Sequence, residues 1–156
     1  MKVESLLQTK QENFYYLNHF DSPNDLADLK PEELEEFVSL FAQAGMFDAL
    51  VIDMGTVLNE RALRLFELAD HIVVVEKPDS FAQTKLGRFY SQLHIMNEYG
   101  IKMLRVLNFD TARSKAYDCS YPLIGRFSML QNPDSALLIP ILAKEQGAQL
   151  VGTLMS

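Results

Sequence analysis

The chain has 156 residues, about one domain's length and enough to bury a real core. Apolar residues make up 48% and charged residues 22%, an ordinary balance for a globular fold rather than a disordered chain. A formal charge of −7 argues against a broad DNA-binding face, which needs Lys and Arg on phosphates; a small local basic patch is still allowed. No apolar run reaches the roughly 18 residues of a membrane-spanning helix. Residues 1–16 lack the apolar stretch and small residues of a secretory signal. The single cysteine, Cys119, forbids an intramolecular disulfide and fits a reducing cytoplasm.

In chain order, Phe14-Tyr15-Tyr16-Leu17 reads as a short strand, and residues 21–30 read as a loop. Pro31 opens a helix, with Glu32 and Glu33 at its positive end. Leu34, Phe37, Val38 and Phe41 recur on one face, and Gly45 closes the element. Residues 47–53, Phe-Asp-Ala-Leu-Val-Ile-Asp, are nearly continuous apolar residues closed by an acid, which predicts a strand buried on both faces. A helix follows over 59–68. His71-Ile72-Val73-Val74-Val75 predicts a second buried strand. Asp79 or Ser80 caps a long helix through about Glu98, with Phe81, Phe89 and Leu93 in its core. Gly100 ends that helix. Residues 101–107 predict a third buried strand ending at Asn108. Residues 109–120 are polar and irregular, 123–125 suggest an edge strand, and Asn132-Pro133-Asp134 opens a helix over 135–144.

Strands alternate with helices, so the expected fold is α/β: one domain over 1–156 with a parallel sheet, right-handed crossovers and flanking helices. In such sheets the ligand lies outside the carboxyl ends of the strands, where Asp53, Glu76 or Lys77, and Asn108 stand. A strand-terminal Asp53 can present a carboxylate to hydrated Mg²⁺, and Gly55 allows backbone to approach a phosphate. The plainer reading makes Asp53 a cap for the next turn and Asn108 a strand-end turn residue.

The order of these pieces resembles the MinD/ParA family of P-loop ATPases and its pilus-assembly branch, over roughly residues 13–145. The likeness rests on the strand closing at Asp53, on Ala69-Asp70-His71-Ile72-Val73-Val74-Val75-Glu76-Lys77-Pro78, and on the strand closing at Asn108. It implies a partial three-layer P-loop fold. Asp53 then matches the acid of the second nucleotide motif, where it would help hold Mg²⁺, Gly55 the switch glycine, and Asn108 the residue that contacts adenine. The family also needs a glycine-rich loop ending in Gly-Lys-Ser/Thr to cradle phosphates. None of the seven glycines here is followed by lysine. In the family that loop, its strand and its helix precede everything matched here. The expected function is therefore a binding or interaction module without catalysis of its own, or the carboxyl-side part of a larger ATPase. No cofactor is expected for this chain alone, and ATP with Mg²⁺ only if upstream sequence completes the fold. Without the first strand, residues 49–53 and 71–75 should pair directly, or leave sheet edges open to a protein partner or a second copy.

Other chemistries fit less well. His19, His71 and His94 make no metal-ligand spacing with Cys119, and no nucleophile elbow is present. Glu32, Glu33, Glu35 and Glu36 read as a solvated face, and the carboxyl-terminal segment 150–156 lacks the basic charge of a membrane anchor. The alternative is a phosphorelay receiver with Asp53 as phosphoacceptor and Lys77-Pro78 after a later strand. Its spacing fails, because a receiver needs two more crossover segments between these points.

Overall fold

The computed structural model describes residues 7–11, 14–17, 29–55, 57–128 and 148–155. They fall into two compact units, Met1–Leu68 and Ala69–Ser156.

In the first unit, β1 (Leu7–Gln11) pairs antiparallel with β2 (Phe14–Leu17). The expected strand at 14–17 is present, and β1 is the partner its pattern did not reveal. The helix α1 (Pro31–Ala44) starts and stops where the residues require. Pro31 needs no amide bond, Glu33 accepts one from the Lys30 backbone N–H at 2.8 Å, and Gly45 takes the left-handed conformation, φ 62°, that ends helices. Leu34 and Phe41 are buried, and Phe41 packs in a short aromatic series with Phe37 and Phe47. The helix α2 (Glu60–Leu68) is capped by Asn59, whose Oδ1 accepts from the Ala62 amide at 2.9 Å. Ala62 and Phe66 form its buried stripe. The helices α1 and α2 contact one another, and Arg64 of α2 bridges to Glu35 of α1 while also pairing with Glu67 on its own helix.

Residues 47–53 correct the expectation: they form no strand. Leu50 and Ile52 are 43% exposed and Val51 is 89% exposed. The run has the composition of an interior strand, but no strand lies hydrogen-bonded beside it among the described residues. An isolated extended segment leaves its amides to water and gains no cross-strand packing. Within the second unit, among the described residues, β3 pairs with β4 in parallel register.

In the second unit the sheet is parallel and ordered β3-β4-β5, from β3 (Ile72–Glu76), β4 (Met103–Asp110) and β5 (Leu123–Ser128). The α/β fold class holds as read. The crossover from β3 to β4 is α3 (Ser80–Met96), capped by Asp79, whose Oδ1 accepts from the Ala82 amide at 2.9 Å. It stops at Asn97, φ 48°, and a 3-10 turn at Gly100–Lys102 leads into β4. The central strand is the heart of the unit, with Met103 and Leu107 wholly buried. The edge strand β3 departs from the expected two-sided burial. Ile72 and Glu76 are buried, while Val73 is 38% and Val75 61% exposed on the opposite face. Phe81 is also not core: it is 69% exposed with the Lys85 ammonium 4.5 Å from its ring centre. Leu86 and Tyr90 supply the buried face of α3 instead. A helix that the pattern did not suggest, α4 (Ala148–Leu154), contacts β5. The helix expected over 135–144 lies outside the described residues.

Candidate functional site

Parallel strands bring their carboxyl ends to one rim, and in the second unit that rim carries Glu76, Lys77, Asn108 and Phe109. Asn108 is half-buried, and its Oδ1 accepts from the Phe109 amide at 2.9 Å. That bond is the local turn role of an asparagine. Phe109 has φ 59°, a left-handed conformation costly for a bulky residue, and the β4–β5 register shifts between Asn108 and Asp110. Such a bulge re-aims side chains at a strand end. Here the Phe109 ring is 41% exposed, and the Lys77 ammonium lies 5.1 Å from its centre.

Lys77 and Phe109 line an open cleft of about 550 Å³ with Pro78, Asp79, Thr111, Arg113, Ser114 and Lys115. Three cations, an aromatic ring and two hydroxyl groups thus converge, against one carboxylate. The arrangement suits an anionic group beside a planar one. Ser114 and Thr111 hold the local turn, through Ser114 N–H to the Thr111 carbonyl and Thr111 N–H to Ser114 Oγ, both 2.9 Å.

Behind the rim lies a buried polar network. Glu76 has no exposed surface, and Arg105 is 6% exposed. Arg105 Nη1 donates to Glu76 Oε1 at 3.1 Å, and Tyr90 Oη donates to the same oxygen at 3.1 Å. Oε2 accepts from the Tyr117 amide at 3.1 Å. Arg105 also donates from Nη1 to the Tyr117 carbonyl at 2.6 Å and from Nε to the Tyr121 carbonyl at 2.7 Å. Both Glu76 oxygens and two guanidinium nitrogens are therefore satisfied, which a buried ion pair requires. The Tyr90 hydroxyl is pushed well above its ordinary pKa, first by burial and then by the negative charge of Glu76.

Asp53 and Gly55 stand in the first unit. Asp53 is exposed on irregular backbone, not at the end of a strand. Gly55 is exposed, and an added Cβ there would meet nothing within 4 Å, so packing does not fix glycine at that position. Asn108 belongs to the second unit. The receiver alternative finds no support, because its phosphoacceptor belongs at the end of a formed, buried strand. Among the described residues no His, Cys, Asp and Glu group is arranged to hold a metal ion. No helix among them is long and apolar enough to cross a membrane. His71 is exposed and Cys119 half-buried.

Sequence reasoning reached Lys77 and Asn108 but missed Phe109, Arg113, Lys115 and the Glu76–Arg105 pair. The pair had a signal: an Arg inside the apolar run of β4 and a Glu closing β3 are complementary charges at core positions.

Comparison with known proteins agrees with this architecture. No family model matches the chain, and no curated protein matches it. Among solved structures it is similar to a ParA family ATPase from Chlorobium tepidum TLS, with a TM-score of 0.72 at 16% identity. The match covers 98% of this chain and 66% of that one, so the chain spans just under two thirds of that protein's length. The fold is therefore MinD/ParA-like, a P-loop NTPase-type α/β architecture. At that identity the likeness speaks for the fold and selects no branch of the family.

Proposed function

We propose that this chain is a single MinD/ParA-like α/β domain without a phosphate loop of its own. It serves as a binding or interaction module, or as the carboxyl-side part of a larger ATPase. The cleft of Lys77, Phe109, Arg113 and Lys115 carries the reading: ligand-type groups persist at the carboxyl ends of parallel strands. The chemistry there favours an anion attached to a planar ring, which a nucleotide supplies. Nothing equivalent to a Gly-Lys-Ser/Thr loop is present in the sequence to cradle terminal phosphates, so binding is weak and hydrolysis by this chain alone is not expected.

On this reading Asp53, Gly55 and Asn108 take up Mg²⁺, phosphate and adenine roles only when upstream sequence completes the fold with ATP. The protein works in the cytoplasm, and its partner is another protein or a second copy engaging an exposed sheet edge. Partitioning or pilus assembly are the processes such a fold suggests. Calorimetric titration of the full chain with Mg-ATP tests the reading. The expected Kd is on the order of 100 μM or weaker, and Lys77→Ala or Arg113→Ala weakens it further. Sub-micromolar affinity, or ATP turnover by the isolated chain, would contradict it.

A further inference from the structure

Residues 111–122 run from the end of β4 to the start of β5 with no helix or strand of their own. Twelve irregular residues inside a compact unit are unusual and need a specific means of attachment. Two of their attachments are side-chain bonds from one buried guanidinium, Arg105 to the Tyr117 and Tyr121 carbonyls. A third is the Tyr117 amide on buried Glu76. The rings repeat the pattern: Tyr117 stacks on Tyr90 at 5.4 Å between centroids, and Tyr121 lies 5.3 Å from the same ring. Room for both is left by glycines. A Cβ on Gly87 would stand 3.0 Å from Tyr117 Oη, and one on Gly100 3.2 Å from the Tyr121 ring.

The first half of the segment builds the cleft, since Thr111, Arg113, Ser114 and Lys115 line it. The second half, with Tyr117 and Tyr121, is tied to the buried pair. One chain segment thus joins a surface cleft to a core ion pair. We propose that residues 111–122 are a strap latched by the buried Glu76–Arg105 pair, and that releasing this latch opens the strap and dismantles the cationic cleft while the sheet stays folded. Glu76, Arg105 and Tyr90 are then positioning residues for whatever occupies the cleft. The latch stands on the contacts just described; its bearing on a ligand rests on the proposed function above.

Local opening of this kind is the low-energy end of the range over which native proteins unlock. Breaking one member of a buried pair risks the whole fold, so the decisive variant replaces both charges with apolar residues, Glu76→Leu with Arg105→Met. A second variant, Gly87→Leu, attacks the strap sterically and leaves the ion pair intact. Cys119 lies within the strap, half-buried, and reports on it as the chain's single thiol.

The experiment follows thiol labelling of Cys119 and amide exchange at Ser114, Tyr117 and β4 in the full chain. In both variants labelling should accelerate by about tenfold or more, the size of effect expected when charge-assisted bonds are lost. The Ser114 and Tyr117 amides should lose protection together while β4 keeps it. Unchanged labelling and exchange in a folded double variant would overturn the latch. Loss of β4 protection in step with the strap would overturn its independence. Titration of the unmutated chain with metal-free ATP separates the two readings: no binding there removes the nucleotide reading of the cleft and leaves the latch to be judged by exchange and labelling.

Discussion

Two runs in this chain have almost the same β-forming composition and opposite fates. Ile72-Val73-Val74-Val75-Glu76 is a strand, while Ala49-Leu50-Val51-Ile52-Asp53 is not. The first lies hydrogen-bonded along β4 in parallel register, Ile72 beside Met103 through Glu76 beside Leu107. The second has no strand beside it among the described residues, and Val51 is almost fully exposed. Strand propensity is mostly the capacity to fit a half-buried pleated surface, so it is realised only where a neighbour offers that surface. The contrast also decides the chemistry. Glu76 closes a formed strand and enters a buried network, whereas Asp53 closes an unformed one and meets solvent.

Breaking the buried side of the contrast should have the largest effect. Arg105→Met strands a wholly buried carboxylate and should lower stability by about 3–5 kcal/mol in urea unfolding. The double variant Glu76→Leu/Arg105→Met should recover most of that loss, within about 1–2 kcal/mol of the unmutated chain, since no buried charge is left unpaired. A double variant no better than the single one would mean that shape, not charge pairing, governs this core.

Truncation sharpens the comparison next. Leu107→Ala in β4 should cost about 2–5 kcal/mol, because Leu107 is wholly buried. Val51→Ala should stay within about 0.5 kcal/mol, the usual range for an exposed site. Comparable losses at the two positions would show that residues 49–53 are packed after all.

Alkaline pH probes the network through Tyr90. Its folded pKa is raised by burial and by Glu76, so the unfolded chain loses this proton first. The stability that Tyr90 contributes is complete below the ordinary tyrosine value of about 10 and falls as pH rises beyond it. Tyr90→Phe should flatten that decline in thermal melts above about pH 10, and an unchanged slope would remove Tyr90 as its source.

Helix caps should give the smallest effects. Asn59→Ala and Asp79→Ala each remove one bond to a first-turn amide and should cost about 1 kcal/mol.

What was legible in the sequence follows from the same physics. Helix limits were readable because Pro31, Gly45, Asn59 and Asp79 act locally, within a turn of their own position. The strands β3 and β4 were readable as apolar runs, and the parallel sheet followed from the helix between them. The failure at residues 47–53 was not readable, because it depends on whether a strand lies beside them. Phe81 misled for a related reason: an aromatic in the first turn of α3 can face solvent under a lysine as easily as the core. Of the site, strand-end positions were accessible through topology. Arg113 and Lys115 were not, since an irregular segment's path is set by tertiary anchors such as Tyr117 and Tyr121.

Amide hydrogen exchange on the full chain at neutral pH tests the central contrast most directly. Leu50, Val51 and Ile52 should exchange at nearly the unprotected rate, while the β4 amides, bonded on both sides, should be slowed toward the limit of global unfolding. Protection of residues 50–52 comparable to that of β4 would contradict the account, and would return Asp53 to the end of a formed strand.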